Sequence, residues 1–499
     1  MKRIGAVCAL LSLAACNASA SGPALPLAPA EAPAVVSSHG VATFALRAEL
    51  DPSNGFPTFV YQGDYGYAPT LVVNPGDTIV GDLSDDLQGH GLPSDVNLHF
   101  HGLNVSPHEP ADDVLTMLAR PGGSLHYVVR VPASQPPGLY WYHAHVHGET
   151  NYQVGQGGMS GAIVVQGLSA RLFPKAPLPE QVLVVRQLGN GAGSLRLAPQ
   201  TSADAGEMVM SSPSPRPPNT QPCAHSAGDL LTVNRLNEPT LHVRSGRPAF
   251  FGIVNATGHR TLDLSVRGAA MRVVGIDGYP LDEYPGAPAQ LAVPHFVLPP
   301  GGRVEFLATV RTASALQTSC YFSGPGGDAD PPQLLAHVSV SESEDAGALV
   351  PAAGVALRAR PQPLPRPAVS RVVRLTEDAN GFYINGRAFS PRAKPTFVVH
   401  TGTVERWTVL NLTPEVHAFH LHQVHFFVES VDGVPVNRRF WRDTVVVPYG
   451  RQEGGVFKPG EVTLIADFRN PLIRGTFLFH CHILDHEDHG MMAKIQAIP

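Results

Sequence analysis

The stretch Pro69-Thr70-Leu71-Val72-Val73-Asn74-Pro75-Gly76 occurs three times in this chain in recognisable form. The second copy is residues 239–246 and the third is residues 395–402, and all three follow the pattern Pro-Thr-x-x-Val-x-x-Gly. Short runs rich in β-branched and aromatic residues follow the copies, as is typical of strands bounded by turns. Because the copies recur at domain-sized intervals, they predict a triplicated all-β sandwich or barrel.

The overall composition agrees with an all-β chain. Of the 499 residues, 49 are Gly and 48 are Pro, whereas only 15% are charged. Residues that break helices at this frequency favour short strands joined by turns. A hydrophobic content of 43% is enough for several buried cores, and a net charge of −6 provides no basic surface for nucleic acid. We therefore expect several β domains and no nucleic-acid partner.

The first twenty residues have the pattern of an export signal. Met1-Lys2-Arg3 supplies positive charge, and residues 4–13 form an apolar run that is too short to span a bilayer. Leu13-Ala14-Ala15-Cys16 resembles a bacterial lipoprotein box, which predicts Cys16 as the lipidated first residue of the mature chain. Simple secretion with cleavage after Ala20 is the alternative. Either signal predicts export, to the bacterial periplasm or, through a lipid anchor, to the outer membrane.

Shifts in composition indicate the domain boundaries. Two stretches rich in Pro, near residues 173–180 and 346–369, separate the three units. Cys223 and Cys320 fall within the second unit, where they form either a disulfide or two separate buried thiols. We predict a signal at 1–20, a flexible tether at 21–40, domains at 41–172, 181–345 and 370–499, and a linker at 346–369.

Four histidine-rich clusters lie in the first and third units. They are residues 99–102, 143–148, 417–422 and 480–486. In a β-strand, residues i and i+2 face the same side, so each His-x-His pair directs two imidazoles to one place. Neutral imidazole binds copper well, and a thiolate among imidazoles favours copper further. Zinc does not change its oxidation state, and it gives no reason for a cysteine between two histidines.

Cys481 lies between His480 and His482, and on a strand it would face the opposite side from both. A metal bound by Cys481 is then linked through the backbone to a second metal site on its neighbours, which suits the transfer of single electrons. With His417 and His486, Cys481 would complete a His₂Cys site, to which Met491 can add a weak axial thioether. The pattern predicts an electron-transfer copper joined to an inner metal site.

These four clusters resemble the copper signatures of the multicopper oxidases, a family that includes laccases and bacterial cuprous oxidases. The resemblance covers nearly all of the chain beyond the signal. It implies three consecutive cupredoxin-like Greek-key β-barrel domains, of which the middle one binds no copper and acts as a spacer. It implies four copper ions, one of type 1, one of type 2 and two of type 3. Dioxygen and a small reductant are the implied partners, and we expect a monomer.

The resemblance also assigns a ligand set to each copper. The type 1 copper takes His417, Cys481 and His486, with Met491 as the axial ligand. The type 2 copper takes His99 and His420. One type 3 copper takes His101, His143 and His482, and the other takes His145, His422 and His480. In this arrangement the trinuclear cluster lies between the first and third domains.

The implied reaction couples four one-electron oxidations at the type 1 site to the reduction of dioxygen to two waters. That reduction consumes protons, so a buried cluster needs carboxyl groups that carry them. Glu487 follows His486 at the position where similar oxidases place an acid beside the type 3 pair. Asp112 or Asp113 resembles the acid near the type 2 copper, and the spacing does not choose between them. The alternative for each acid is a solvated carboxylate in a turn.

The sequence constrains the reductant less than the metal. Cuprous oxidases carry a Met-rich insertion, whereas this chain has only eight Met and has Asn411-Leu412-Thr413-Pro414-Glu415 before His417. These differences favour laccase-like oxidation of phenols or other aromatic reductants, near an exposed edge of His486. A metal-ion oxidase acting on Cu(I), Mn(II) or Fe(II) in copper tolerance is the first alternative. The second is a non-enzymatic copper-binding scaffold, which predicts missing trinuclear ligands.

Overall fold

The computed structural model describes residues 34–87, 94–187, 223, 230–342 and 364–499. The predicted signal with Cys16 lies outside these ranges, as do most of the predicted tether and linker. Within them, almost all regular structure is β-strand, and no helix is long and apolar enough to cross a membrane. The strands form three pairs of sheets that follow one another along the chain. The prediction of a triplicated all-β fold is therefore confirmed.

The first pair of sheets lies within residues 35–165. One sheet contains, in spatial order, Val35–Val36, Leu71–Val73, Ser160–Val165, Gly138–His143 and His99–His101. The other contains Asp64–Tyr65, Pro57–Tyr61, Val41–Leu50, Thr78–Asp85 and Ser124–Arg130. Two of the histidine clusters thus fall on, or directly after, neighbouring strands at one edge of the first sheet.

The second pair of sheets lies within residues 180–341. One sheet contains Leu231–Val233, Glu180–Gln187, Pro248–Asn255, Arg303–Thr309, Met271–Ile276 and Tyr279–Pro280, with Leu291–Val293 also paired to Met271–Ile276. The other contains Thr240–Arg244, Gln333–Ser341, Ser314–Ser319, Leu262–Val266 and Phe296–Leu298. Tyr321–Phe322 and Ala329–Asp330 form a separate hairpin. A disulfide joins Cys223 to Cys320, which decides between the two alternatives for these cysteines.

The third pair of sheets lies within residues 369–498. One sheet contains Gly381–Ile384, Val369–Asp378, Thr403–Asn411, Gly460–Phe468, Phe426–Val431 and Val434–Pro435. The other contains Phe397–His400, Met492–Ile498, Gly475–Cys481, His417–Leu421 and Thr444–Val447, and Arg451–Glu453 with Val456–Lys458 forms a hairpin. The helical segments of the described chain are all short: Asn151–Gln156, Leu168–Leu172, Leu281–Glu283, Pro471–Ile473 and Leu484–Asp488.

The Pro-Thr-x-x-Val-x-x-Gly repeat occupies the same place in all three domains. In each, it forms a strand that pairs in parallel with the last strand of the domain; the opposed residues include Leu71 and Ile163, Thr240 and His337, and Phe397 and Ile495. The closing glycines Gly76, Gly246 and Gly402 have φ values of +97°, +66° and +87°. Residues with a Cβ rarely adopt this left-handed backbone, so the turn after the strand explains why the glycine recurs.

Each pair of sheets encloses an apolar core of its own. Trp141 is buried in the first core, Phe306 in the second and Trp407 in the third. The first core is continuous with Val184 of the middle domain and Leu484 of the third. The three domains therefore pack directly against one another.

Candidate metal centres

Strand register brings the predicted histidines together. His99 lies opposite His143 on the neighbouring strand of the first domain, and His420 lies opposite His480 in the third. Directly opposed residues in an antiparallel pair have side chains on the same face. The two faces meet across the domain contact, where the rings of His101 and His420 stack with centroids 3.9 Å apart. The structure thus gathers the histidines of the first and third domains into one cluster.

The cluster is excluded from solvent. Eight histidines are at most 2% exposed: His99, His101, His143, His145, His420, His422, His480 and His482. Burial lowers the pKa of His145 to about 4 and the pKa of His99 and His422 well below the ordinary value, because the charged ring loses its hydration. These imidazoles are therefore neutral near neutral pH, which is the form that binds metal.

One set of three histidines converges closely, together with a carboxylate. The Nε2 atoms of His145 and His422 lie 3.3 and 3.1 Å from Nε2 of His480. On the outer side of the His480 ring, Nδ1 lies 3.0 Å from Oε2 of Glu487. Nε2 of His145, one of the converging atoms, lies 3.5 Å from Oε1 of the same carboxylate. Burial opposes ionisation of Glu487, but His480 and His145 outweigh it and hold the pKa of Glu487 below its ordinary value. The structure therefore places Glu487 directly against this set.

Measured between ring centroids, the other predicted sets are only slightly wider than this one, whose centroids are 4.9, 5.1 and 5.2 Å apart. The ring centroids of His101, His143 and His482 are separated by 5.1, 5.5 and 5.7 Å. Those of His99 and His420, the pair predicted for type 2 copper, are 6.1 Å apart.

The ring nitrogens of this cluster fit a metal that accepts their lone pairs. Nδ1 of His99 lies 3.0 Å from the carboxylate of Asp112, and Nδ1 of His143 lies 2.8 Å from the carbonyl oxygen of Ala144. The Nε2 atoms of His99, His143 and His420 have no hydrogen-bond partner among the described residues. Each unpaired buried polar atom costs about 1–3 kcal/mol, so their convergence requires an occupant. An outer contact that fixes the other nitrogen is usual for ligating histidines.

A second site lies on the other face of the strand that carries His480. The sulfur of Cys481 lies 3.5 Å from Nδ1 of His417 and 3.7 Å from Nδ1 of His486, and these two nitrogens are 3.1 Å apart. Nε2 of His417 meets the hydroxyl of Thr413 at 2.9 Å. The three donor atoms form the His₂Cys arrangement typical of electron-transfer copper.

Met491 and the cysteine thiol lie together in the apolar core of the third domain. Met491 is buried in the same core as Cys481, and the Cys481 amide donates to the Met491 carbonyl at 3.0 Å. Burial raises the pKa of the Cys481 thiol. A bound cation is therefore needed to hold the sulfur as a thiolate, and metal binding here releases a proton.

The expectation that His486 presents an exposed edge is wrong. His486 is 0% exposed, because the ring of Phe382 stacks on it at 4.1 Å and the carboxylate of Glu415 lies 3.2 Å from its Nε2. Glu415 is itself only 4% exposed. Phe382 and Glu415 therefore separate the His486 imidazole from solvent.

The two neighbouring aspartates have different surroundings. Asp112 is buried against His99 and accepts the Phe100 amide at 2.9 Å, and burial raises its pKa well above the ordinary value. Asp113 instead accepts the hydroxyl of Thr116 at 2.6 Å and backbone amides of the same turn. The structure thus places Asp112 at the histidine cluster and Asp113 in a local turn.

Asp443 is a contact of the cluster that the sequence did not predict. Its carboxylate lies 3.3 Å from Nε2 of His101, and its carbonyl oxygen lies 3.0 Å from Nδ1 of His420. Burial would raise the pKa of Asp443, but the Arg303 guanidinium and His101 outweigh it and hold the pKa well below the usual range. No local sequence signal connects Asp443 with His101, because the two residues belong to different domains.

Comparison with known proteins agrees with this geometry. Two family models, both described as multicopper oxidase, match residues 52–169 and 362–499, which together make up just over half of the chain. The chain belongs to the multicopper oxidase family. It is therefore an oxidoreductase whose cofactors are four copper ions, one of type 1, one of type 2 and two of type 3.

Individual relatives extend the similarity along the chain. A multicopper oxidase of Staphylococcus haemolyticus is 23% identical over 92% of this chain and 89% of its own length. The laccase of Bacillus subtilis is 27% identical over 73% of this chain and 71% of its own length. A solved structure of a Campylobacter jejuni multicopper oxidase has a TM-score of 0.70 at 21% identity, covering 95% of this chain and 94% of that one. The prediction of cupredoxin-like β domains is thereby confirmed.

Replacing Cys481 tests the two metal centres independently of each other. Cys481→Ser removes the sulfur but leaves the histidine cluster intact, so we expect loss of the blue absorption with copper still bound by the cluster. Absorption spectra and metal analysis of the copper-loaded protein measure the two effects. His489→Gln, a change at a neighbouring histidine outside the predicted ligand sets, is the control and should remain blue. A Cys481→Ser protein that stays blue, or that no longer folds, contradicts this role of the sulfur.

Proposed function

We propose that this protein is an exported, laccase-like multicopper oxidase that oxidises phenols and other aromatic reductants with dioxygen. The contact between Glu415 and His486 is the observation on which the choice of a phenolic reductant rests. The ligand sets are those that the family resemblance assigns, and the buried, converging donor atoms support them. Bound copper supplies the one-electron chemistry, taking single electrons from the reductant and delivering them to dioxygen.

The remaining roles belong to side chains around the metal sites. Glu487 holds a proton-carrying position beside His480, where the hydroxyl of Thr150 donates to its Oε1 at 3.0 Å. Asp112 does the same beside His99, and we prefer it to Asp113 because Asp113 is engaged in a turn. Together the two acids supply protons beside different histidines of the cluster.

The surroundings of Glu415 favour a phenolic reductant. A phenol loses both an electron and a proton when it is oxidised, and a carboxylate next to His486 is placed to accept that proton. Phe322, which is 45% exposed, packs edge-on against Tyr449 with centroids 5.8 Å apart. The loop that follows Phe322 in the middle domain is fixed to the third domain, since the Val416 amide donates to the Ser323 carbonyl at 2.7 Å. The similarity to a laccase is consistent with this choice.

A metal-ion oxidase is the second candidate. A carboxylate beside His486 also attracts cations, and the solved Campylobacter jejuni structure is described as a metallo-oxidase. The grouping of metal-binding side chains argues against a metal-ion oxidase. In the described chain, each group of three close His, Cys, Asp or Glu donors consists of proposed copper ligands, except one that combines two such ligands with Asp443. That part of the chain therefore offers no separate cation site of this kind near Glu415.

Oxygen uptake by the copper-loaded protein tests the proposed function. We expect faster turnover with 2,6-dimethoxyphenol than with Cu(I), Fe(II) or Mn(II), because only the phenol uses a proton acceptor. An oxygen electrode measures all four rates on one preparation, with metal analysis to establish full copper loading. Absence of oxygen uptake in a fully loaded protein supports the scaffold alternative, and faster turnover with a metal ion supports the metal-ion oxidase.

Glu415→Gln tests the role of the carboxylate. We expect oxidation of the phenol to slow by about 100-fold, the ordinary contribution of a general base. Hexacyanoferrate(II) loses an electron but no proton, so its oxidation should change little. Glu453→Gln, at an exposed carboxylate of the third domain, is the matched control. Equal slowing with both donors contradicts proton acceptance, and a larger loss with Cu(I) favours the metal-ion oxidase.

Export through a lipoprotein signal has a direct test. In a bacterial host, we expect the mature chain to begin at Cys16 and to carry the mass of a lipid. Mass spectrometry of the N-terminal peptide measures this, and Cys16→Ser should remove the lipid. An unmodified N-terminus after residue 20 supports simple secretion, whereas retention of Met1 contradicts export.

A further inference from the structure

The middle domain reaches the histidine cluster through Arg303. This residue is 0% exposed and begins the strand Arg303–Thr309. Its two terminal nitrogens donate to the two carboxylate oxygens of Asp443 at 2.8 and 2.6 Å. Such a bidentate contact fixes both the position and the plane of the carboxylate.

The guanidinium of Arg303 touches all three domains. It belongs to the middle domain, where it also donates to the carbonyl oxygen of Gly301 at 3.0 Å. Its Nε donates at 3.4 Å to the carbonyl oxygen of Leu139, on the strand of the first domain that ends at His143. Asp443 belongs to the third domain. One side chain therefore sets the relative position of the strands on which the cluster is built.

Asp443 connects Arg303 to two imidazole rings of the cluster. Its Oδ1 lies 3.3 Å from Nε2 of His101 and accepts the hydroxyl of Thr444 at 2.8 Å. Its carbonyl oxygen lies 3.0 Å from Nδ1 of His420. The opposite ring nitrogens, Nδ1 of His101 and Nε2 of His420, have no hydrogen-bond partner within the described ranges. Each ring is thus held on its outer side and directed inward on the other.

Two glycines leave room for this arrangement. A Cβ on Gly102, which follows His101, would overlap the guanidinium of Arg303. A Cβ on Gly301 would lie 2.6 Å from the ring of His482. The backbones of the first and middle domains therefore approach the cluster at positions that lack a side chain.

We propose that Arg303 is a positioning residue for the trinuclear copper cluster. By fixing Asp443, it orients His101 and His420, which belong to different copper sites. The inference rests on the proposed ligand assignment. The middle domain contributes none of the proposed ligands. Through Arg303 it nevertheless orients two of them, in addition to acting as a spacer.

Loss of the guanidinium has a specific expected effect. Without Arg303, the buried carboxylate of Asp443 lacks its bidentate partner and keeps only the Thr444 hydroxyl and the nearby histidines, including His425, whose Nε2 lies 3.4 Å from Oδ2. The rings of His101 and His420 then lose their fixed orientation. The Cys481 site does not depend on this contact, because its histidines are held by Thr413 and Glu415.

Copper titration of the full-length, copper-free protein tests the proposal. In Arg303→Met we expect the affinity for copper at the type 2 site to fall by about 10–100-fold, as for other contacts that orient metal ligands. The type 2 electron paramagnetic resonance signal measures this site, and the blue absorption measures the type 1 site, which should be unchanged. Arg303→Lys keeps the positive charge but cannot donate to both carboxylate oxygens as the guanidinium does. It should therefore recover part of the lost copper affinity.

The control is Arg260→Met, which removes another buried arginine of the middle domain. Arg260 lies 3.1 Å from Asp330 and donates to the Pro331 carbonyl, so its loss should leave the type 2 affinity at the wild-type value. Thermal melting of each copper-free variant monitors folding. If Arg303→Met does not fold, Asp443→Asn provides the same test, because it weakens the acceptor while keeping the side-chain shape.

The outcomes separate this proposal from the proposed function. A wild-type protein that is blue but shows no type 2 copper refutes the trinuclear ligand assignment itself. A normal wild-type protein together with a folded Arg303→Met variant of unchanged type 2 affinity overturns the role of Arg303. Unchanged type 2 affinity in Asp443→Asn does the same where Arg303→Met does not fold. Equal loss of type 1 copper in folded variants also overturns it, because a positioning role predicts a selective effect.

Discussion

The structure depends on burying eight imidazoles, each correctly turned, at a contact between two domains. A charged ring there would lose its hydration, and a neutral ring with the wrong tautomer would direct a proton where a lone pair is needed. Oxygen atoms on the outer side of the rings fix the orientation and the tautomer. The Asp112 carboxylate contacts Nδ1 of His99, and the Ala144 carbonyl contacts Nδ1 of His143. The domain contact and the metal cluster are therefore a single arrangement, in which neither is complete without the other.

The two faces of one strand connect this cluster to the second site. His480 lies among the buried histidines of the cluster, and Cys481 lies in the core of the third domain with Met491. Regular strand geometry fixes their separation, because successive side chains point to opposite faces. The proposed electron-accepting centre and the proposed oxygen-reducing centre are thus held at a constant distance by backbone hydrogen bonds rather than by loops.

Much of this arrangement was predictable from local patterns. The repeat predicted the triplicated β fold because its glycine turn and strand recur in each domain, and the alternation around Cys481 predicted two separate metal sites. Contacts that depend on tertiary packing were not predictable: Asp443 and Arg303 come from different domains, and carboxylates and arginines are common everywhere. The cover over His486 was missed for the same reason, since no periodic pattern places Phe382 against that ring. Asp112 and Asp113 are adjacent in sequence, and only the position of His99 distinguishes them.

The loop around Ser323 has a consequence for how such a protein diversifies. It packs beside Glu415, yet it belongs to the one repeat that carries none of the proposed copper ligands. Under the proposed function, mutations in this loop would reshape the approach to Glu415 without changing any of the proposed copper ligands. Within the middle domain, this loop is thus separate from the role proposed for Arg303, which is tied to the histidine cluster through Asp443. Substitutions confined to the loop would change which reductant is accepted without altering a proposed copper ligand.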